Sequence, residues 1–174
     1  SIGVAQYRPE VQQADKLLKD AAVALYEARR QGSGVVELFN PSMVDDRAEL
    51  VVLEAELRRA IERNEIEVHY QPIARLADMH LAGFEALVRW HHPGDGLVMP
   101  DQFIAMAEES GLIDELTRIV LAAALHQSRL WLDAGLSLEI AVNVSMDNLS
   151  ELDFPDQVAR AAMAEGFPLT SLVL

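Results

Sequence analysis

Cysteine is absent from the 174 residues. This excludes a disulfide framework and any thiolate metal site, and it makes the reducing cytoplasm the default compartment. Long apolar runs are missing too. Stretches such as Ile119 to Leu125 suit a helix core and fall well short of the roughly 18 to 20 residues that span a bilayer. The opening Ser-Ile-Gly-Val-Ala has neither the basic start nor the small-residue cleavage site of a secretory signal. A longer parent tethered to a membrane by a segment outside this chain is compatible with both observations. Basic residues are scarce, 14 against 28 acidic ones, for a formal net charge of −14. That balance opposes any broad electrostatic hold on duplex nucleic acid. A small anionic ligand is not excluded, because a few placed guanidinium and amide groups can hold phosphate locally. Glycine and proline are few while 51% of the residues are hydrophobic, the balance of a folded globular protein with one sizeable core or two small ones.

What is present divides into three stretches. In the first, Ser1 to Tyr7 reads as a short strand broken by Pro9. Val11 to Gln31 reads as a helix with Leu17, Leu18, Ala21, Ala22, Leu25 and Ala28 at helical spacing, and Val35 to Phe39 as a second strand. One helix and two strands make a poor core alone. Ser42 to Asn64 reads as a continuous helix with a stripe of Leu50, Leu53, Leu57 and Ile61. Two heptads suit a packed connector or a dimerising, signal-transmitting helix. The acidic Asp45, Asp46 and Glu49 would sit at its start, where the helix dipole favours them.

After Asn64 the pattern changes. Ile66 to Ile73 and Met79 to Trp90 read as strands around a turn near Asp78, followed by a Gly-rich loop from His92 to Met99. Pro100 to Ser110 and Ile113 to Ala134 read as helices, Leu138 to Val144 as a strand, Asp153 to Glu165 as a helix and Leu172 to Leu174 as a strand start. After an opening strand pair, strands and helices alternate, the grammar of a largely parallel α/β sheet or barrel.

Alternation on the second of these strands puts Phe84, Ala86, Val88 and Trp90 on one face and Glu85, Leu87 and Arg89 on the other. A carboxylate and a guanidinium on an inward face are costly unless paired or bound to something, so either Glu85 and Arg89 pair with each other or with neighbours as a structural ion pair, or they meet a ligand. Asn143 shares a face with Ala141 and Ser145 near a strand end. Its carbonyl suits a hard divalent cation, although such an Asn also serves as a strand-end cap. Gln71 shares a face with His69. Together Gln71, Glu85, Arg89 and Asn143 could converge at the C-terminal mouth of a barrel. His91 and His92 point to opposite sides of an extended chain, which argues against a shared metal. His69 and His126 read as satisfied or surface histidines, and Glu108 and Glu109 as solvated or capping groups.

The strings YQPI (Tyr70 to Ile73), FEALVRW (Phe84 to Trp90), HHPGDGLVMPDQFI (His91 to Ile104), AEESGLI (Ala107 to Ile113) and AVNVS (Ala141 to Ser145) occur in one order over Glu54 to Leu174. This collection resembles the EAL domain of cyclic-di-GMP phosphodiesterases. SIGVA (Ser1 to Ala5) and LLKDAAVALYEARRQGSGVVELF (Leu17 to Phe39) resemble, more weakly, the end of a GGDEF domain. The resemblance implies residues 1–40 as a GGDEF remnant, 41–64 as a connector helix and 65–174 as the N-terminal half of an EAL domain. The fold it implies is α/β: part of a TIM-like (β/α)8 barrel with an opening antiparallel strand pair. No diguanylate cyclase site would lie in these residues.

For activity, the resemblance implies hydrolysis of cyclic-di-GMP to linear pGpG with magnesium or manganese. Glu85 and Asn143 would be metal ligands and catalytic groups. Arg89 would pair with a phosphate, Gln71 would hydrogen-bond the ligand, and Leu87 and Pro100 would make apolar contact with it. The family continues beyond Leu174 into a further glutamate strand, a paired-aspartate motif, a lysine and a late glutamate. A barrel of this kind takes roughly 250 residues. The sequence therefore reads as part of a longer polypeptide, or as a fragment completed by a partner or by swapping, and catalysis is expected of the parent. A non-catalytic cyclic-di-GMP receptor and a homodimerising regulatory piece are the competing functions.

Overall fold

The computed structural model describes residues 1–7, 14–32 and 34–174, with the backbone alone for Arg30 and residues 44–49. The expected break at Pro9, the helix start at Val11 and the side chains of Asp45, Asp46 and Glu49 lie outside the described residues. The chain forms two compact units, Ser1–Ala55 and Glu56–Leu174.

In the first unit, β1 (Ile2–Val4) and β2 (Val36–Leu38) pair in parallel through the crossover helix α1 (Ala14–Arg30). Gly3 is required where strand meets helix: a Cβ there would stand 2.1 Å from the backbone nitrogen of Leu25. Of the apolar residues spaced along α1, Ala28 is fully buried while Leu18 and Ala22 are exposed; the buried face is centred instead on Val23, Ala24 and Ala28.

Helix α2 (Ser42–Glu62) crosses the division at Ala55. Its second half is anchored in the second unit because Leu57, Ala60 and Ile61 are buried, whereas Val51 and Val52 are exposed. Two residues of the stripe, Leu57 and Ile61, are thus packed within the chain, as the connector alternative has it.

The second unit is built on β3 (Ile66–Ala74), β4 (Leu81–His92), β5 (Gly96–Val98), β6 (Glu139–Val142) and β7 (Leu172–Val173). Strand β3 pairs antiparallel with β4, and β4 with β6 and β6 with β7 in parallel; β5 pairs antiparallel with the end of β4. The opening antiparallel pair followed by parallel strands is the expected mixed α/β pattern. Met79, expected to begin β4, instead sits in the hairpin turn with φ of +57°. In that turn Asp78 is held below the ordinary carboxylate range by the backbone N–H of His80, then by the His80 side chain, with Arg75 adding to both. The loop expected between His92 and Met99 contains β5, which extends the sheet by three residues.

Helices α3 (Pro100–Ser110), α4 (Ile113–Asp133), α5 (Met146–Ser150) and α6 (Phe154–Glu165) complete the unit. Among the described residues, no helix is long and apolar enough to cross a membrane. Ala86, Ile140 and Val142 from the sheet pack with Leu121, Ala124, Leu125, Val158 and Ala162 from α4 and α6 in one core, with Phe84 and Val88 against it. Trp131 of α4 stacks on Phe84 at 4.5 Å and meets Tyr70 edge-on at 5.1 Å. The Tyr70 hydroxyl donates to the carbonyl of Ala123 at 3.2 Å, and burial raises its pKa above 10.0. Trp90 is fully buried and meets Phe103 of α3 edge-on at 5.8 Å. The helices therefore cover the face of β4 predicted from alternation, and Glu85, Leu87 and Arg89 lie on the other.

Candidate active site

The site is laid out along one strand. Successive side chains on one face of β4 are about 6.6 Å apart, so Glu85, Leu87, Arg89 and His91 form a ladder. Across the antiparallel pairing, Gln71 stands opposite Glu85, His69 opposite Leu87 and Glu67 opposite Arg89. On the other side Glu85 pairs in register with Ala141 and Ala86 with Val142. Strand β6 ends there, so Asn143 lies just past the strand rather than inside it as expected. Its side-chain amide turns back and donates to Oε1 of Glu85 at 2.7 Å.

The alternative of a Glu85–Arg89 ion pair is excluded. The two Cα atoms are separated by four residues of extended chain, about 13 Å, and Glu85 bonds Asn143 instead. The Arg89 guanidinium donates to the carbonyl of Val88 at 2.7 Å and forms no ion pair among the described residues. Arg89 therefore occupies the same face as Glu85 but not the same cluster. Leu87, Pro100 and Asn143 do come together: with Ile104, Thr117 and Ser145 they line a largely apolar cavity of about 200 Å³. Pro100 is placed there as the opening residue of α3, where its missing N–H costs nothing.

The histidines separate as expected. His91 lies 3.5 Å from Oε2 of Glu67, which is also 3.6 Å from Nε2 of His69. His92 is on the opposite side, between Glu56 at 3.5 Å and Asp95 at 3.0 Å. Its Nδ1 also accepts the backbone N–H groups of Gly94 and Asp95, which fixes the loop into β5. His126 pairs with Glu165 at 3.3 Å.

Among the described residues, no three His, Cys, Asp or Glu side chains gather as a metal cluster. Glu85 and Asn143 nevertheless form a pair of oxygen donors of the type hard divalent cations take, and magnesium in particular is held by one or two carboxylates with water and phosphate completing its shell. The amide of Asn143 presents its NH2 to Glu85; a half-turn of that amide would present the carbonyl oxygen instead. The donor pair fits an open-sided cation site.

One polar feature escaped the sequence reading. Asn148 is buried and its side chain joins Thr117, Asp114 and Ser145. Ser145 and Asn148 form a capping box at the start of α5, and their three-residue spacing was the available signal.

The EAL-domain family model matches residues 54–174. The cyclic di-GMP phosphodiesterase NbdA of Pseudomonas aeruginosa is 37% identical over the whole of this chain, which spans 22% of that protein. MucR of the same organism, a bifunctional diguanylate cyclase and cyclic di-GMP phosphodiesterase, is also 37% identical over the whole chain, which spans 26% of it. The chain thus covers about a fifth to a quarter of these curated relatives. Among solved structures, the PaMucR phosphodiesterase in complex with c-di-GMP is 38% identical with a TM-score of 0.67, covering 71% of this chain and 49% of that one. The FimX EAL domain of Xanthomonas citri in complex with c-diGMP is 26% identical with a TM-score of 0.63, covering 74% and 49%. With the family's residues matched from Glu54 to Leu174 and the same α/β arrangement found in its solved members, this chain belongs to the EAL-domain family.

Proposed function

We propose that the protein containing this chain hydrolyses cyclic-di-GMP to linear pGpG in bacterial second-messenger signalling. The observation that carries the proposal is the Glu85–Asn143 pair, 2.7 Å apart, with Gln71 opposite Glu85 and Arg89 further along the same strand. The relatives named as cyclic di-GMP phosphodiesterases support it. MucR is similar across residues 1–55 as well, which supports reading 1–40 as the end of a GGDEF domain, 41–64 as the connector and 65–174 as EAL domain. A homodimer through the connector would use the exposed Val51 and Val52 rather than Leu57.

In this reading Glu85 and Asn143 hold magnesium or manganese, Asn143 after its amide has turned. When bound, the ion supplies an acidified water and offsets charge on the phosphoryl oxygens. Arg89 offers a planar fork of donors to one ligand phosphate. Gln71 donates or accepts beside Glu85, and Leu87 and Pro100 provide an apolar wall for a base next to Asn143. The roughly 13 Å between Glu85 and Arg89 would let one extended dianion reach Arg89 with one phosphate and, with the other, the cation that Glu85 holds.

Hydrolysis by the full-length protein with magnesium tests the reading. Glu85→Ala should lower kcat by at least about 100-fold, more than the 10- to 100-fold typical of residues that only support a ligand. Arg89→Lys should weaken ligand binding about tenfold, or about 1.4 kcal/mol, by removing a bidentate contact while leaving the fold intact. Full activity in Glu85→Ala would sink the metal assignment. The amide of Asn143 already satisfying Glu85 favours one second reading, a receptor that binds cyclic-di-GMP without turnover. Tight binding with no product in the unsubstituted protein would select it.

A further inference from the structure

Asn143 carries the second half of the donor pair, yet the sheet does not hold it. The β4–β6 pairing stops at Ala86 and Val142, so another device must fix the turn that follows. The side chain of Asn148, five residues on and 2% exposed, meets that requirement. Its Oδ1 accepts from the Thr117 hydroxyl at 2.8 Å, the Ser145 hydroxyl at 2.9 Å and the Ser145 backbone N–H at 3.1 Å. Its Nδ2 donates to Asp114 at 2.7 Å, and its backbone N–H donates to the Ser145 hydroxyl at 3.1 Å.

These partners settle which way the amide faces. Turned over, it would set its NH2 against the N–H of Ser145 and its oxygen against the carboxylate of Asp114. Aspartate at this position has no proton for Asp114, and an apolar isostere would strand several polar groups in a buried place, each costly when unpaired. The network therefore clamps Ser145, two residues after Asn143, to two successive turns of α4. Ser145 and Thr117 also form part of the wall of the cavity that Asn143 enters.

We propose that Asn148 is a positioning residue, holding Asn143 where it can meet Glu85 by tying the turn after β6 to helix α4. The inference rests on the reading of Asn143 as a site residue, and its test is built to separate the two. In the full-length protein, Asn148→Asp, the exchange pair Asp114→Asn with Asn148→Asp, and Thr117→Val are compared by amide hydrogen exchange over residues 143–145 and by kcat and KM for cyclic-di-GMP. Asn148→Asp sets two carboxylates face to face. It should quicken exchange at least about tenfold and lower kcat about 10- to 100-fold, the range seen for groups that orient a ligand, with KM changed less than about threefold. The exchange pair restores one donor between the two residues and should return both readouts to within about threefold of the starting protein.

Should Asn148→Asp not fold, Thr117→Val, which removes one donor and keeps the shape, carries the test with an expected change of about threefold. Unchanged exchange overturns the inference whatever the hydrolysis. Quickened exchange with unchanged kcat in an active enzyme overturns it too, because the network would then be merely structural. Quickened exchange that the pair rescues, in a protein that hydrolyses nothing, upholds the clamp and refutes the phosphodiesterase reading instead.

Discussion

Replacing Gly83 with alanine should disable the site without touching any of its functional groups. Gly83 pairs with Glu139 in the parallel β4–β6 register, and a Cβ on it would lie 2.3 Å from the backbone oxygen of Glu139 and 2.9 Å from its carbonyl carbon. Cβ contacts below 3.0 Å are essentially never found, so the strands must part by about 0.7 Å at that point. The obstacle is backbone, which cannot swing aside like a side chain. Overpacking of this kind costs about 1–3 kcal/mol, and the upper half of that range is expected because only four residue pairs join the two strands. The same displacement carried to Asn143 stretches its 2.7 Å bond to Glu85 to about 3.4 Å, beyond a sound N–H···O bond. Urea unfolding of the full-length protein should show a fall of about 2–3 kcal/mol at unchanged slope. Hydrolysis below the transition should fall about tenfold or more, as orientation losses of this size do. A Gly83→Ala protein with stability within about 0.5 kcal/mol of the original and undiminished turnover would show that the β4–β6 spacing does not set the donor pair.

Two further outcomes follow from the core face. Ser128 is buried in α4 with its hydroxyl unpartnered among the described residues, so Ser128→Ala should stabilise by about 1 kcal/mol, since burying such a hydroxyl costs roughly 1–3, and leave hydrolysis unchanged; thermal unfolding checks it. Tyr70 has a folded-state pKa raised above 10.0 by burial, so its contribution is fully present below about pH 10 and is lost as the pH climbs through the raised value. Tyr70→Phe should cost about 1 kcal/mol at neutral pH through the bond to Ala123 and flatten the fall in stability measured as the pH is raised above about 10.

How much of this could be read in the sequence depended on how local the determinant was. The two faces of β4 were legible because alternation is a property of a single strand, and the buried Ala86 and Trp90 fall where it puts them. Periodicity brought Glu85 and Asn143 only to one end of the sheet, and the family resemblance paired them as ligands; the direct bond between them was not legible. Two charges four residues apart invite pairing on paper, but an extended strand holds them about 13 Å apart, and the actual partner lies 58 residues downstream. Strand β5 has three residues, too few for a period, and exists because Trp90, His91 and His92 offer it a ladder. The Asn148 network links residues 31 and 34 positions apart; only its capping box left a trace in the sequence.

The division of β4 into two faces also explains why its charged residues can be tolerated. Ala86, Val88 and Trp90 put the strand's apolar area against helices, where each large side chain contributes about 1.5–3 kcal/mol. The opposite face is then free to carry groups that do not help folding. Arg89 on that face satisfies only part of its five-donor fork with the carbonyl of Val88, and Glu85 spends one oxygen on an amide rather than on a cation. Both keep capacity for a further partner, and the strand keeps them too far apart to supply it to each other. A strand that gains its stability from one side and keeps opposite charges apart on the other leaves Arg89 free for an anion and Glu85 free for a cation, the two roles that the phosphodiesterase proposal asks of them.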